Sequence, residues 1–465
     1  MRLVLFRSLW VLGLSGLLAM LAACVMKPPP VPGEAKDPGV RAGPPGAGEP
    51  LKGLDKHERT AFEVGKEEFA ETEDPRDGLG PTMNLNSCVG CHVAPAMGGT
   101  SPAINPQVAF ATELGAHNKV FSFLRADGPV REVRRVRNPD GSPDGGVHSL
   151  FSIAGRSDAP GCNLAQPDLE AELARHNIIF RIPTPIFGAG LIEMIPDREI
   201  LANRGANRAE KAALGIVGKP NIVLPFHAIS GQPNKNGNDG TLGRFGWKAQ
   251  NKSLLVFAAE AYNVEMGVTS DAFPTEREED PACQFARQPN NVRNFARSGK
   301  LDVEEVLEGA AAIEKFGFFM RFLAPPAPAS GDPGGAASIE RGRATFDKAG
   351  CALCHVPTMK TGDTFVNAMR NQPVHLFSDL LLHDMGEGLA DGINQGQAGP
   401  RDFRTAPLWG LGQRHFFLHD GRTSDLREAI LAHYSRHSEA NEVVRRFYGF
   451  SNAEQQDLYN FLRSL

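Results

Sequence analysis

The sequence predicts a mainly α-helical protein of two domains that begin in the same way, with the first domain enlarged by loops and short strands. A Cys-x-x-Cys-His motif at Cys88 and a second one at Cys351 each follow a stretch with helical periodicity. A Pro-, Gly- and Ala-rich segment before residue 336 is typical of a linker between domains. We therefore expect residues 53–335 to form the first domain and residues 336–465 to form the second.

The two motifs predict covalently bound haem. They read Cys88-Val-Gly-Cys91-His92 and Cys351-Ala-Leu-Cys354-His355, and this pattern is the attachment signature of c-type haem. The two thiols of each motif add to the haem vinyl groups, and the adjacent His ligates the iron from the proximal side. Two structural zinc sites are the alternative, but each would need two further Cys or His at short spacing, and none follow. A helix followed directly by this motif is how small cytochrome c domains begin, so we expect both domains to be cytochrome c-like.

Length and composition narrow the class of protein only a little. At 465 residues the chain is long enough for two or three domains with sizeable cores. The formal net charge of −5 is mild, and no basic tract indicates a nucleic-acid partner.

The N-terminus predicts export. Arg2 and Arg7 flank the start of an apolar run, Leu9–Met20, which is too short to remain as a membrane-spanning helix. The run ends in Leu21-Ala-Ala-Cys24, which resembles the lipobox of bacterial lipoproteins. An ordinary secretory signal that is cleaved elsewhere is the alternative.

The lipobox resemblance implies that residues 1–24 are a lipoprotein signal peptide and that Cys24 is lipidated. Val25 at the next position, rather than Asp, favours the outer membrane. The protein would then face the periplasm, where c-type haem is attached and disulfides persist. Residues 25–52 are rich in Pro, Gly and Ala and lack apolar periodicity, so we expect them to be a tether.

The cysteine count predicts one disulfide. Of the seven Cys, one is the expected anchor and four belong to the haem motifs. Cys162 and Cys283 remain, and an even pair in an oxidising compartment is expected to form a disulfide. Two buried free thiols are the alternative.

Local signals place the elements of the first domain. Asp55 is a plausible N-cap of the helix that precedes the first motif. Residues 100–180 contain turn signals and two short strands, at Val130–Val136 and Val147–Ile153, and are interpreted as an insertion. Two further helices are predicted at Ser253–Met266 and Asp302–Leu323.

The second domain is predicted from three helices. The first starts at Ser338, ends at Gly350 and leads directly into the second motif. A helix from Asp425 carries His433 on its apolar face. Ser451-Asn-Ala-Glu454 has the pattern of a capping box and starts the last helix.

Six further motifs, together with the two haem motifs, resemble the bacterial di-haem oxidoreductase family, some of whose members are labelled thiol oxidoreductases. That family is related to di-haem cytochrome c peroxidases and to the di-haem enzyme that matures methylamine dehydrogenase. The resemblance covers about residues 55–465. The six motifs are Gly78-Leu-Gly-Pro81, Gly188-Ala-Gly-Leu-Ile-Glu193, Gly243-Arg-Phe-Gly-Trp247-Lys248-Ala249, His383-Asp-Met-Gly386, Arg404-Thr-Ala-Pro-Leu-Trp409-Gly410 and Leu418-His-Asp-Gly-Arg422. The thiol label does not fit the chemistry, because thioether bonds to haem would consume all four motif sulfurs.

The resemblance implies a distal ligand for the second haem. In the peroxidase relatives this ligand is a Met on a helix with the pattern Leu-x-x-Ala-Val-x-x-Met, and here the matching stretch from Leu426 ends in His433. An imidazole in place of a thioether is expected to lower the reduction potential. Met385 is the rival ligand, and a satisfied core histidine is the bland interpretation of His433.

The first haem has no assured distal ligand in the sequence, since His117 lies well beyond the position that the relatives use. We expect an open or weakly closed site that binds substrate. Glu265, in Asn263-Val-Glu265-Met-Gly267, matches the catalytic glutamate of the relatives, and the alternative is an exposed carboxylate at a helix end. The Gln that assists it in the relatives is replaced by apolar residues around Phe257.

Trp247 matches the tryptophan that relays electrons between the two haems of the relatives, although Trp is also an ordinary core residue. The family motifs also contain His383, His419 and Arg422, to which the sequence assigns no chemistry.

The expected function is that of a periplasmic di-haem oxidoreductase of peroxidase type. Electrons from a small donor, a cytochrome or a cupredoxin, would pass from the haem at His355 to the haem at His92, where peroxide is reduced. The alternatives are a di-haem electron carrier without substrate chemistry and an oxygenase or protein-modifying enzyme on the same scaffold. The resemblance also implies a calcium ion between the domains, whose ligands the sequence does not place.

Overall fold

Helices are the dominant regular element of the protein. The computed structural model describes residues 34–222, 226–227, 233–234, 242–277, 280–294 and 303–465. About 34% of the chain is helical, and the strands are two to four residues long. The expectation of a mainly α protein is therefore right for the regular elements, while much of the rest is irregular.

In the described ranges, α-helices occur along the whole chain, and short strands lie between Thr82 and Arg404. The α-helices are α1 Lys56–Ala70, α2 Cys88–Cys91, α3 Gln107–Phe110, α4 Leu169–Ala174, α5 Ala189–Glu193, α6 Asp197–Gly205, α7 Arg208–Leu214, α8 Leu254–Met266, α9 Val303–Glu308, α10 Ala312–Phe322, α11 Ala336–Ala349, α12 Leu426–Leu431, α13 Asn441–Tyr448 and α14 Asn452–Ser464. The strands are β1 Thr82–Met83, β2 Glu132–Arg135, β3 Val147–His148, β4 Phe151–Ser152, β5 Ile178–Arg181, β6 Phe226–His227, β7 Pro233–Asn234, β8 Met359–Lys360, β9 Pro373–Val374, β10 Leu382–Asp384 and β11 Asp402–Arg404.

The helix before each Cys-x-x-Cys-His motif crosses a later helix at a glycine. Helix α1 packs on α10 and helix α11 packs on α14. A Cβ atom at Gly65 would lie 2.2 Å from the carbonyl oxygen of Lys315, and one at Gly342 would lie 1.9 Å from that of Asp457. Only glycine allows these close approaches. The two halves of the chain thus repeat one arrangement: a crossed helix followed by the motif.

Helix caps explain where the elements start. Asp55 accepts a hydrogen bond from the backbone N–H of Glu58, whose side chain accepts one from the backbone N–H of Asp55. Ser451 and Glu454 form the same capping box at α14. Both predicted helix starts are confirmed, because reciprocal capping depends on residues only three positions apart.

The predicted helix Asp302–Leu323 is wrong as one element, since the structure has two helices, α9 and α10. Asp302 lies outside the described residues. A new N-terminus forms where the side chain of Glu314 accepts from the backbone N–H of Ala311 and Asn291 accepts from that of Ala312, at 3.1 and 2.7 Å. These acceptors satisfy the first free N–H groups of α10 and so stabilise the break.

The inserted region is organised by a small antiparallel sheet of order β3-β2-β5. Strand β2 pairs with β5 from Glu132 opposite Arg181 to Arg135 opposite Ile178. The predicted strand at Val147–Ile153 is split into β3 and β4, and β4 pairs with β1. This pairing joins the insertion to the loop that precedes the first motif.

Two large groups of buried apolar side chains form the cores. The larger one extends from Leu51 to Trp409 and includes residues that follow the second motif, such as Leu376 and Leu381. The smaller one is formed mainly by Phe346 and residues between 377 and 465. Residues 35–465 form one compact unit, and the division at residues 335 and 336 stays a prediction.

Part of the predicted tether lies against the folded chain. The buried guanidinium of Arg463 donates to both carboxylate oxygens of Asp37, at 2.7 and 2.6 Å. The backbone N–H of Leu51 donates to the carbonyl oxygen of Phe322 at 2.8 Å. Residues 35–52 therefore belong to the fold, because a buried ion pair and backbone hydrogen bonds fasten them along their length.

The predicted signal peptide and Cys24 lie outside the described residues. None of the helices in the described ranges is both long and apolar enough to cross a bilayer. Cys162 and Cys283, the pair left over by the cysteine count, are joined as a disulfide with a 2.04 Å S–S distance.

Candidate active site

The first cavity is the space lined by Cys88, Cys91 and His92, and it encloses about 1210 Å³, part of it open to solvent. His92 follows helix α2 directly and donates its backbone N–H to the carbonyl oxygen of Cys88 at 3.0 Å. Its Nδ1 atom lies 3.0 Å from the carbonyl oxygen of Gly99. Nδ1 therefore carries the proton and donates a hydrogen bond to that carbonyl, and Nε2 is left for a metal.

The second cavity is lined by Cys351, Cys354 and His355 and encloses about 1610 Å³, also partly open. The backbone N–H of His355 donates to the carbonyl oxygen of Cys351 at 2.9 Å. Its Nδ1 atom lies 3.1 Å from the carbonyl oxygen of Phe377. Both motifs thus hold their His in the same way, with Nε2 available.

Buried polar atoms at both cavities fit a haem with its anionic propionates. In the described part of the chain, the Nε atoms of Arg131 and Arg181 at the first cavity and the hydroxyl of Thr405 at the second are buried and have no hydrogen-bond partner. Burial lowers the pKa of Arg131, and it lowers the pKa of Arg404 at the second cavity to about 10. Guanidinium groups pair readily with carboxylates. The residues present therefore suit a haem at each motif.

The motif thiols are poorly suited to redox chemistry of their own. Cys88, Cys91, Cys351 and Cys354 are not joined as disulfides. Burial raises the pKa of Cys88 and of Cys351 to about 12, whereas reactive thiols have a lowered pKa.

His433 is placed to be the distal ligand at the second cavity. It lines this cavity together with His355. Burial, and then the charge of His433, lowers the pKa of His355 to about 4. Its Nδ1 atom lies 2.8 Å from the carbonyl oxygen of Ala429, so Nε2 is again left for a metal. His433 lies in the turn after α12, because the helix ends at Leu431, and not on the helix as predicted.

Met385 also lines the second cavity and is half-buried. Its backbone N–H donates to the carbonyl oxygen of Arg401 at 2.9 Å. The anchored ring favours His433, and the choice of ligand stays a prediction.

His383 is held by carboxylates on both ring nitrogens. Its Nε2 lies 3.0 Å from Asp379 and its Nδ1 lies 2.7 Å from Glu439. Burial alone would lower its pKa, but the charges of Cys354 and Asp379 raise it well above the usual value. Because each ring nitrogen of His383 faces a carboxylate, neither is free for iron.

The other two unassigned motif residues differ in position. The His419 ring stacks on Phe403 at a centroid distance of 4.4 Å and lines the second cavity. Arg422 is 41% exposed and pairs with Asp420 at 2.7 Å, so it holds the loop together rather than reaching the cavity.

The first cavity has no second histidine. Among the described residues that line it, His92 is the only His, and His117 packs against Gly155 elsewhere. The expected open site is thus consistent with the geometry on this side. Phe257, where the sequence has apolar residues in place of the assisting Gln of the relatives, lines the cavity together with Gln107 and Gln250.

Glu265 is half-buried and lines the first cavity, so it is not an exposed carboxylate at a helix end. The side-chain amide of Asn84 donates to its Oε2 at 2.6 Å, and the backbone N–H of Asn84 donates to its carbonyl oxygen at 2.7 Å. The backbone N–H of Gly80, in a family motif, donates to the next carbonyl, that of Met266, at 2.9 Å. The loop before the first motif is thereby fastened to the end of α8 that carries Glu265. Burial and then the charge of Glu132 raise the pKa of Glu265 to about 8.

Two more carboxylates and an arginine surround Glu265. Glu132, from β2, contacts both Glu265 and Arg134. Glu260, one turn earlier on α8, contacts the side chain of Asn251, and burial raises its pKa. Burial alone would lower the pKa of Arg134, but these three carboxylates raise it. The cluster therefore places carboxyl groups of raised pKa in the lining of the first cavity.

Trp247 lies in the wall between the two cavities. It lines both of them, as do Ile182 and Pro183. Its indole N–H donates to the carbonyl oxygen of Ile182 at 2.9 Å. A relay position between two haems is consistent with this placement.

Lys248 fixes the segment next to Trp247. Its ammonium is fully buried, lies 3.0 Å from Asp391 Oδ1 and donates to the carbonyl oxygens of Gly399 and Asp402 at 2.9 and 3.0 Å. The second oxygen of Asp391 accepts from Arg181 at 2.8 Å.

The described residues contain no cluster of three or more His, Cys, Asp or Glu able to hold a metal ion, so they do not place the calcium ion that the resemblance implies.

Sequence reasoning missed most of the acidic cluster. Glu132 and Arg134 lie on an inserted strand whose contact with α8 no local pattern shows. Tyr262 and Glu265 are three residues apart on α8, and this spacing could have indicated that both face the same cavity.

The chain belongs to the di-haem oxidoreductase family. The family model described as "Di-haem oxidoreductase, putative peroxidase" matches residues 131–465, which is more than half of the chain and begins after the first motif. The family resemblance predicted from the motifs is confirmed. Two haem cofactors follow from membership of a di-haem family.

One curated relative is the methylamine utilization protein MauG of Methylorubrum extorquens. It is 29% identical over 140 residues, which are 28% of this chain and 35% of that protein. The chain thus matches about a third of the length of this relative.

Three solved structures also show a likeness. Hydrazine synthase of Kuenenia stuttgartiensis has 19% identity and a TM-score of 0.22 over 35% of this chain and 59% of that chain. The di-haem peroxidase BthA of Burkholderia thailandensis has 15% identity and a TM-score of 0.28 over 48% of this chain and 66% of that chain. A MauG-like protein associated with microbial copper homeostasis has 17% identity and a TM-score of 0.28 over 61% of this chain and 90% of that chain. TM-scores of this size do not establish a shared fold.

Proposed function

We propose that this protein is a di-haem oxidoreductase of peroxidase type, with two cytochrome c-like domains at residues 53–335 and 336–465. The asymmetry of the two cavities supports this most. The second cavity contains two His whose Nδ1 atoms are held by backbone carbonyls, whereas the first contains one such His and a half-buried acidic cluster. An iron with two strong ligands transfers electrons, and an iron with an open position binds peroxide.

A c-type haem covalently attached at each motif would supply the redox-active iron, with electrons passing from the His355 side to the His92 side. Glu265 would take a proton from one peroxide oxygen and give it to the other, which departs as water. Asn84 holds the Glu265 carboxylate in place, and Glu132 and Arg134 set its charge. The raised pKa of Glu265 suits this role because both of its protonation states are accessible near neutral pH.

Trp247 would carry electrons across the wall between the cavities. Its ring is fixed by the hydrogen bond to Ile182, and the buried Lys248–Asp391 pair fixes the next residue. A rigid aromatic side chain between two redox centres keeps their separation constant.

We further propose that a small periplasmic cytochrome or cupredoxin donates the electrons. The protein would be anchored to the outer membrane through lipid on Cys24 and would face the periplasm, with a calcium ion bound as the resemblance implies. Expression in cells supplied with labelled palmitate tests the anchor. The wild type should carry the label, and a Cys24→Ala variant should not.

Electron paramagnetic resonance of the fully oxidised and the one-electron-reduced protein tests the function. We expect a high-spin ferric signal in one of these states that disappears in a His92→Gly variant. Two low-spin signals in the oxidised protein, with the remaining ferric haem still low-spin after reduction, would instead favour a di-haem electron carrier. Oxidation of an added organic or protein substrate would indicate an oxygenase or protein-modifying enzyme.

A further inference from the structure

Tyr262 is a buried phenol at the first cavity with an acidic partner. It lies on α8, one turn before Glu265, is 3% exposed and lines the cavity. Its hydroxyl donates to Glu73 Oε1 at 2.6 Å. Glu73 is itself buried, and its backbone N–H donates to the carbonyl oxygen of Asn86 at 2.8 Å, which fixes the residue beside the first motif.

The pair adjoins the haem attachment point. After burial, the charge of Glu73 is the next cause that raises the pKa of the Cys88 thiol. Burial, the charge of Glu73 and then that of Cys88 raise the pKa of Tyr262. The edge of the Tyr262 ring packs against Phe316, another residue that lines the cavity, at a centroid distance of 5.1 Å. The phenol therefore lines the same cavity as Cys88, a side chain that would be bonded to the haem.

Glu73 can take up the phenol proton. Burial, together with the charges of Glu71, Asp77 and Glu68, raises its pKa to about 7, in spite of the opposing hydrogen bond from Tyr262. A buried phenol needs a hydrogen-bond partner, but a backbone carbonyl would satisfy it at a lower desolvation cost than a carboxylate. A carboxylate differs from a carbonyl in that it can accept the proton completely.

We propose that Tyr262 and Glu73 form a redox-active pair that gives an electron to the first haem site after peroxide has oxidised that site. The phenolic O–H bond breaks, the electron goes to the oxidised haem site and the proton goes to the Glu73 carboxylate, which leaves a neutral tyrosyl radical. A one-electron donor then reduces the radical, and the proton returns from Glu73. This inference rests on the proposed peroxidase function.

The test is electron paramagnetic resonance of the haem-loaded protein, frozen within milliseconds of mixing with hydrogen peroxide. Growth on ring-deuterated tyrosine narrows the signal of a tyrosyl radical and so identifies it in the wild type, even if a variant does not fold. The chain has four Tyr, and the variants show which one carries the radical. We expect a narrow organic radical in the wild type that is absent in Tyr262→Phe. In Glu73→Gln, which still accepts the hydrogen bond but not the proton, we expect radical formation to slow by about 100-fold. Tyr459→Phe, a buried tyrosine far along the chain, is the control and should keep the signal.

The outcomes separate this inference from the proposed function. If peroxide changes the haem signals but no tyrosyl signal forms, or if the signal persists in Tyr262→Phe, the pair is not redox-active and the peroxidase function stands. An unchanged rate of radical formation in Glu73→Gln also overturns the pair. If peroxide leaves all haem signals unchanged, the proposed function fails and this inference fails with it.

Discussion

Trp247 donates its indole N–H to the carbonyl oxygen of Ile182 at 2.9 Å, and both residues line both haem cavities. One hydrogen bond thus fixes two of the residues that separate the cavities. The two cavities therefore share lining residues, which is the placement that the proposed electron relay requires.

Replacement of Trp247 by Phe should slow electron transfer between the haems. The variant also leaves the Ile182 carbonyl without a donor, which should lower the free energy of unfolding by roughly 1–3 kcal/mol. Rapid-scan absorption after mixing the reduced protein with peroxide measures how fast the second haem is reoxidised. Trp409→Phe is the control, since Trp409 is buried but does not line both cavities. Equal reoxidation rates in both variants would argue against a relay.

Replacement of Glu265 by Gln should lower peroxide turnover by about 10²-fold. The amide keeps the shape and can accept from Asn84, but it cannot take a proton. In the wild type, turnover limited by the ionised form of Glu265 should rise with pH up to about pH 8, where half of the group is ionised. The variant should lose this limb of the pH–rate profile while its haem spectra stay unchanged. A variant that keeps the limb would show that another group is the base.

The same carboxylate should make stability fall as pH rises. Its folded-state pKa, about 8, lies above its unfolded value near 4.5, so the folded state binds more protons between these values. Stability is therefore full below about pH 4.5 and is lost as pH rises through 8, by an amount on the order of a few kcal/mol. Urea unfolding at pH 5 and pH 8.5 checks this. Glu265→Gln should be more stable than the wild type at the higher pH, and an equal slope in both proteins would contradict the prediction.

Replacement of His433 should change the spin state of the second haem. His433→Ala removes the anchored imidazole, so one low-spin signal should become high-spin in the oxidised protein. His433→Met should keep it low-spin and raise its reduction potential, because a thioether ligand raises the potential. Met385→Leu should leave the spectrum unchanged. The opposite pattern, with a loss of low-spin signal only in Met385→Leu, would assign the ligand to Met385.

Replacement of Asp37 by Ala should destabilise the fold by roughly 3–5 kcal/mol, since it leaves the Arg463 charge buried and unpaired. Asp363→Ala is the matched control, because its pair with Arg370 is largely exposed and should contribute about 1 kcal/mol or less. Thermal unfolding followed by circular dichroism compares the two variants. Equal losses would mean that residues 35–52 are not part of the stable fold.

The sequence predicted the features that depend on neighbouring residues. The capping boxes at Asp55 and Ser451 act over three positions, and the haem motifs over five, so their chemistry is visible in one stretch of chain. The break between α9 and α10 was not predicted, because the Asn291 acceptor that stabilises it comes from another segment. His433 was predicted as a ligand candidate, but the end of α12 before it was not.

The acidic cluster was outside the reach of the sequence for the same reason. Glu73 follows α1 in a loop and Glu132 lies on β2, and only tertiary packing brings them to Tyr262 and Glu265 of α8. The buried pair of Asp37 and Arg463 joins residues at opposite ends of the chain. A Pro-rich composition indicates a tether unless a distant partner is known to hold it.

The buried Lys248 ammonium makes ionic contacts of the kind that a bound metal ion makes, with one carboxylate and two carbonyl oxygens, and it lies 4.1 Å from the centre of the Phe403 ring. A metal ion at such a junction exchanges with the medium, and chelators can remove it. This cation is part of the chain, so dialysis cannot remove it. The contacts that hold the segment next to Trp247 are therefore made by a covalently attached cation and not by an exchangeable ion.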